Sequence, residues 1–344
     1  MKVVKRVLVG LVAIVITLLI WHNKLVYYGF VQANGQLKII SNAQPLENYL
    51  NDPDYPDSLK AKIELILEVR EFAFDQLGIK KTDNYTTMYD QKNQPLMWVV
   101  TGCEPFSLTP HTWNFPWLGS VPYKGFFDQK MAQDEMQRVN ESGFDVGVRN
   151  PGGWSTLGWF NDPVLSNMLD RNYGQLAELI IHELTHSTIF VKDSVTFNEN
   201  LASFIGHQGS VMFLKKKFGD MSVELTTYLN EERDYNKYAN HFIRGTQVLD
   251  SLYNSFPEQL DVQVKTKQKE EAIKNIISQL DTIEFASSTV KLDSLFASLP
   301  NNTYFMSFLR YKSRQDDFEN EFSQKFEKDL KRFIVYYKEK YPFV

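Results

Sequence analysis

An α+β fold, mainly helical, with a small antiparallel or mixed sheet placed before a pair of helices, is what the sequence predicts. Three observations carry this. Short β-rich runs are confined to residues 84–159, whereas from Asn172 onward the apolar spacing is helical almost to the end. Hydrophobic residues make up 43% and aromatics 14% of the 344, enough apolar surface to close a core and exclude disorder as the main state. No repeat and no Gly/Ser linker interrupts the chain, so residues 25–344 read as one domain with a C-terminal helical part from about 218.

At the N-terminus, Met1-Lys2-Val3-Val4-Lys5-Arg6 precedes an apolar run from Val7 to Trp21. As a helix the run rises about 22 Å, short of the ~30 Å hydrocarbon core. Snorkelling Lys5 and Arg6 on one side, with Trp21, Tyr27 and Tyr28 at the far interface, close most of that gap. The nearest small-residue cleavage site, Val31-Gln32-Ala33, lies well downstream. Residues 1–24 are therefore expected to stay as a single-pass anchor in the inner membrane, a cleaved signal segment being the alternative. Lys2, Lys5 and Arg6 before the span put the remainder on the extracytoplasmic, periplasmic side.

Past a turn cluster at 53–57, residues 58–77 show helical spacing through Leu59, Ile63, Leu65, Ile66, Val69 and Phe72. Residues 84–90 and 96–101 read as two strands around the turn 91–95. The Pro- and Trp-rich stretch 105–123 reads as irregular but packed. Residues 127–142 read as a helix ended by Gly143, and 144–148 and 154–159 as strands. Later, the charged stretch 260–280 reads as an exposed helical arm. Phe318, Phe322, Phe326, Leu330 and Ile334 recur every four residues, which predicts a last helix with one apolar face.

Composition removes several function classes. With 37 basic and 42 acidic side chains, net charge is −5 and no basic stripe exists, which argues against nucleic acid as partner. A single cysteine, Cys103, excludes an intrachain disulfide and a thiolate metal cluster.

Within the periodic stretch 176–186 stands His182-Glu183-Leu184-Thr185-His186. Four residues advance a helix by about 400°, so both imidazoles lie on one face some 6 Å apart along the axis, a spacing that lets them grip one tetrahedral zinc. Glu183, rotated about 100° from His182, can reach a metal-bound water without ligating the metal. A catalytic zinc usually has a third protein ligand and one open position. Thirteen residues on, Glu199 in Asn198-Glu199-Asn200 can return on a second helix to supply that ligand. Thr196-x-x-Glu199 also fits a helix capping box; with the histidines upstream, the ligand reading is the stronger. A closed structural site would need a fourth donor, for which Cys103 is the main rival among Cys103, His111, His207 and His241. Those three histidines and His22 otherwise read as ordinary surface or core residues.

These residues resemble a family, the bacterial putative aminopeptidases of the gluzincin kind, whose zinc sits on His-Glu-x-x-His plus the glutamate of an Asn-Glu pair. Further blocks look alike: Tyr27-Tyr28 to Gln36-Leu37, Trp98-Val99-Val100, Phe106-Ser107-Leu108, Tyr123 to Asp128, Ser155 to Pro163, and Asn301-Asn302 with Tyr311. Two departures stand out: Gly152-Gly153-Trp154 replaces a commoner Ala-Tyr, and Ser203 stands where thermolysin-like relatives carry a histidine-orienting aspartate. The resemblance implies a zincin-like fold and a zinc-dependent metallopeptidase, an aminopeptidase, with one Zn2+ per chain and peptide substrates. Its ligands would be His182, His186 and Glu199, and Glu183 would be the general base. Ser155, Thr156, Leu157 and Gly158 would form an edge strand that pairs with substrate backbone, an ordinary core strand with a buried Trp159 being the alternative, and Asn302 would also contact substrate. Tyr311, Tyr238, His241 and Arg244 are candidates for stabilising the oxyanion; Tyr311 leads through the family block. The rival reading is a membrane-tethered binding or assembly protein that keeps the zinc-stapled helix pair without turnover. Glu178, one turn before His182, and Asp162 are candidates for a carboxylate that meets a substrate amine.

Overall fold

Helices dominate the computed structural model, which describes residues 23–115, 119–151, 160–286 and 298–341. The expected anchor run 7–21 and the expected strand 154–159 lie outside the described residues. No helix among the described residues is long and apolar enough to cross a membrane.

In the first half the order is α1 (Asn23–Asn42), β1 (Gln44–Pro45), α2 (Leu46–Asn51), α3 (Asp57–Asp75), β2 (Thr87–Tyr89), β3 (Trp98–Cys103), β4 (Trp113–Phe115), β5 (Gly119–Val121), β6 (Lys124–Phe126), α4 (Gln129–Glu141), β7 (Asp145–Arg149) and β8 (Val164–Leu165). Three small sheets result among the described residues. β1-β2-β8 is mixed, with β2 antiparallel to β1 and parallel to β8; β6-β3-β7 is antiparallel; β4 and β5 form a hairpin. The α4 helix covers the β3 sheet, burying Ala132 and Val139 against Val100, Trp113 and Phe126. Its start is capped by Asp128, whose carboxylate accepts from the Met131 amide, and Gly143 beyond its end takes φ +87°, which suits glycine.

The second half is a succession of helices: α5 (Tyr173–His186), α6 (Val195–Phe218), α7 (Val223–Asn254), α8 (Val262–Ser278), α9 (Asn302–Lys312), α10 (Gln315–Phe326) and α11 (Leu330–Lys340). α5 and α6 form the most extensive helix pairing, flanked by α3, α7 and α9. Their crossing is close because of Gly206: a Cβ there would stand 3.0 Å from the Glu178 carbonyl and 3.3 Å from the His182 Cβ. The largest apolar cluster joins α3, α5 and α6 to α10 and α11, where Phe204 lies with ring centroids 5.3 to 5.9 Å from Phe318, Phe322 and Phe333.

Four expectations need correction. The strands near 84–90 and 96–101 do not pair with each other. Lys92 and Asn93 take positive φ, the Gln91 amide donates to Ser166 Oγ, and β2 turns to β8 while β3 joins β6 and β7. The stretch 105–123 contains the β4–β5 hairpin. Residues 260–280 are no free arm: Ile273, Ile276 and Leu280 are buried against Phe242, Leu249 and Phe305, and the Lys269 ammonium donates to Asp145 and to the Pro105 carbonyl. Two apolar positions on α8 and one in the turn after it dock an otherwise charged helix. Finally, the terminal phenylalanine pattern spans two helices, broken where Glu327 and Lys328 take φ +53° and +62°. Strict four-residue spacing drifts by about 40° per step. Over four steps Ile334 would face nearly opposite to Phe318, and the break brings both back to one core.

Phe333, fully buried and ringed by Phe204, Phe318, Phe322, Phe326 and Tyr337, is the hub of that core. Phe333→Ala should lower the unfolding free energy by about 3–5 kcal/mol in urea denaturation at unchanged m-value.

Candidate metal centre

α5 begins at Asn172, whose side chain accepts from the Gln175 amide at 3.0 Å, and runs on an apolar face made by Leu176, Ala177, Ile180, Ile181 and Leu184, all fully buried. At its C-terminus, Ser187 and Thr188 hydroxyls both donate to the Leu184 carbonyl, satisfying groups the helix leaves open. The loop to α6 is then pinned at two points by one side chain. The Val191 amide donates to Asn198 Oδ1 at 2.9 Å, and Asn198 Nδ2 donates back to the Val191 carbonyl at 2.8 Å. No side chain caps α6 at Ser194, and Thr196 lies within the helix, so the capping-box alternative is not realised. Glu199 instead turns to the histidines.

His182 Nε2 and His186 Nε2 stand 3.2 Å apart, and Glu199 Oε2 lies 3.3 Å from the first and 3.6 Å from the second. Two donors each about 2.1 Å from one tetrahedral zinc ion would be separated by about 3.3–3.4 Å, so the three atoms have the mutual spacing of three zinc ligands. Among the described residues no other His, Cys, Asp or Glu joins this group. Burial pushes the Glu199 carboxyl up, but His186 and His182 outweigh it and hold it well below the usual carboxylate range. Burial pushes His186 down, and the Glu199 and Glu183 carboxylates outweigh that and raise it. Behind the pair, Ser203 Oγ faces His182 Nδ1 at 3.5 Å, the limit of a hydrogen bond, so a hydroxyl occupies the place of an orienting carboxylate.

Glu183 is half-buried, and among the described residues its carboxylate has no hydrogen-bond partner. Tyr311, near the end of α9, accepts from Arg149 Nη2 at 3.0 Å, and burial and the Glu199 charge raise its phenol. Tyr123 is pushed up to about 12 by burial, with Glu199 and Tyr311 adding to it, and Arg310 lies over its ring at 5.5 Å. Arg149, at the end of β7, is a participant that the sequence did not signal. Asn200 is another: its Nδ2 donates to the Arg310 carbonyl at 2.7 Å and its Oδ1 accepts from the Arg314 amide at 2.9 Å, tying α6 to the end of α9. Only its place next to Asn198-Glu199 could have drawn attention to it.

Other candidates are placed elsewhere. Asn302 is fully buried, its amide donating to the Glu104 and Pro105 carbonyls and accepting from Tyr253, so it holds the start of α9 rather than lining an open surface. Tyr238 shares a hydrogen bond with Tyr304, His241 donates to the Ile276 carbonyl, and Arg244 is exposed on the same helix. Cys103 donates to the Ser107 carbonyl, its thiol pushed up to about 12 by burial and Asp145. His111 packs edge-on against Trp113 and Phe144, and His207 meets the Tyr228 hydroxyl at 3.0 Å. The substrate-strand candidates Ser155, Thr156, Leu157 and Gly158 lie outside the described residues. Asp162 is buried, its amide donating to Asn84 Oδ1.

Fold and site together define a mainly helical α+β protein whose central helix pair carries a His-His-Glu donor set that could hold a metal ion. Comparison with protein families matches residues 27–340 to the family described as Putative aminopeptidase, and the chain belongs to that family. No curated protein and no solved structure matches it.

Since Asn198 pins the turn that delivers Glu199, Asn198→Ala should weaken by about 10–100-fold whatever affinity this donor set has for added zinc, read in a chelator-competition titration.

Proposed function

We propose that this chain is a zinc-dependent metallopeptidase of the gluzincin kind, an aminopeptidase acting on peptides. One zinc ion per chain would be held by His182, His186 and Glu199. The observation that carries this reading is the mutual spacing of the three donor atoms, 3.2, 3.3 and 3.6 Å. Three protein donors with no fourth among the described residues match a catalytic rather than a closed structural zinc set. When bound, the ion supplies a Lewis acid for the scissile carbonyl and lowers the pKa of water toward ~7.

The remaining work falls to side chains of this protein. Glu183, half-buried and without a partner among the described residues, takes the proton of the attacking water and later delivers it to the departing amine. Tyr311 receives a hydrogen bond from Arg149, which leaves its own O–H to donate to the developing oxyanion. Residues 1–24 belong to the same proposal as a single-pass inner-membrane anchor that keeps the catalytic part on the periplasmic side. If so, carbonate washing should leave the full chain in the membrane fraction and release a chain that starts at Tyr27.

Glu183→Gln should retain one zinc per chain by elemental analysis while peptide hydrolysis falls about 10²–10⁴-fold. Unchanged turnover would remove Glu183 from the mechanism. Chelation should abolish hydrolysis, and added zinc should restore it.

A further inference from the structure

The turn 91–95, which sends β2 and β3 to different sheets, forms part of the wall of a cavity of about 600 Å³. Gln91, 7% exposed, holds that wall to the 3₁₀ turn Ser166–Asp170 that follows β8. Its amide donates to Ser166 Oγ at 2.9 Å, its Oε1 accepts from the Asn167 amide at 3.3 Å, and its Nε2 donates to the Gln94 carbonyl at 3.3 Å. Tyr49 of α2 and Tyr55 of the turn before α3 add two rings packed edge to face, centroids 5.2 Å apart at 62°. Leu59, Met88 and Leu169 supply apolar lining. None of His182, His186 and Glu199 lines the cavity, but Asn150 does, directly after the Arg149 that donates to Tyr311. The cavity is therefore separate from the candidate metal centre and adjoins it at the end of β7.

Two carboxylates, Asp90 and Asp170, line the cavity, and no Lys, Arg or His does. Among the described residues neither carboxylate is in an ion pair. Lys92 meets Asp90 through its backbone amide at 2.9 Å, and the Lys62 ammonium donates to the Leu169 carbonyl instead. Arg171, next to Asp170 in sequence, is also in the field of Glu183 and Glu178 and is not among the lining residues. Asn167 adds a carbonyl oxygen, Oδ1, that is enclosed and has no donor. Burial raises the Tyr49 and Tyr55 phenols, and the Asp90 charge adds to it. Acceptors and negative charge without a cation call for a positively charged, donor-rich occupant. A divalent metal is not that occupant, because among the described residues only the His182, His186 and Glu199 group brings three such donors together.

We propose that this cavity binds a guanidinium group on an apolar stem, as an arginine side chain of a peptide or a free guanidino base carries it. A planar guanidinium presents its N–H donors in a fixed fork, which suits carboxylates that need donors as well as charge. It is weakly hydrated and lies readily over aromatic faces, so the tyrosine pair favours it over an ammonium. The stem then packs against Leu59, Met88 and Leu169. A volume of about 600 Å³ lies within the range of sites that enclose small organic ligands, whereas a bare ammonium or inorganic cation would leave most of it to water. The site stands whether or not the chain hydrolyses peptides.

The probes are N-acetyl-arginine amide, N-acetyl-lysine amide and N-acetyl-citrulline amide, titrated by calorimetry into the full chain in detergent. EDTA is present throughout, so the donor set holds no metal and does not contribute. The arginine probe should bind about tenfold more tightly than citrulline, which keeps the shape without the charge, and about threefold more tightly than lysine. Asp90→Asn combined with Asp170→Asn keeps the acceptor for the Lys92 amide; it should cost the arginine probe about 10–100-fold at unchanged Tm. Tyr55→Leu should cost it about 3–10-fold. Agmatine separates the sources: binding as tight as the arginine probe marks a free base as the occupant, and weaker binding marks a peptide side chain. Equal binding of arginine and citrulline, lysine as tight as arginine, or a double variant that keeps the native affinity overturns the inference.

Discussion

A carboxylate that is largely enclosed by protein must have partners, because the charged form is costly away from water. Glu199 meets this demand with two imidazoles from the neighbouring helix, and much of the architecture serves that meeting. Gly206 lets the two helices cross closely enough for the side chains to converge. Asn198 fixes the turn through which the chain returns, and Ser203 stands behind His182. The aromatic core of α10 and α11 lies outside this contact and packs against α6.

The helix pair was legible because its signals are local. The His-x-x-x-His spacing fixes a face of α5, the apolar run 176–184 fixes which side is inward, and Asn172 marks the start by its capping bond. The same holds for α3 and α4, whose bounds follow from apolar spacing and from Gly143. Glu199 was legible only jointly, since its own four residues also spell a cap; the upstream histidines decide between the two readings.

What the sequence hid was long-range. Strand pairing of β2 with β8 joins residues about 76 apart, and nothing in the intervening turn announces it. Arg149 meets Tyr311 across 162 positions, and Asn200 meets Arg310 across 110. The charged stretch 260–280 concealed three apolar anchors, two on α8 and Leu280 in the turn after it, whose partners lie on α7 and α9. Periodicity also failed at the C-terminus, where an unbroken four-residue recurrence runs through two helices because the left-handed residues Glu327 and Lys328 look ordinary in sequence.

Consecutive residues of a helix point about 100° apart, and Asn198, Glu199 and Asn200 use those three directions for three separate tasks. One grips the preceding loop, one faces the histidines, and one seizes the end of α9 through the Arg310 carbonyl and the Arg314 amide. Helix α9 carries Tyr311 one residue past that grip. The tyrosine and the carboxylate are thereby both tied to a single turn of α6, so the same few bonds that anchor the end of α9 also set how the phenol stands to the donor set.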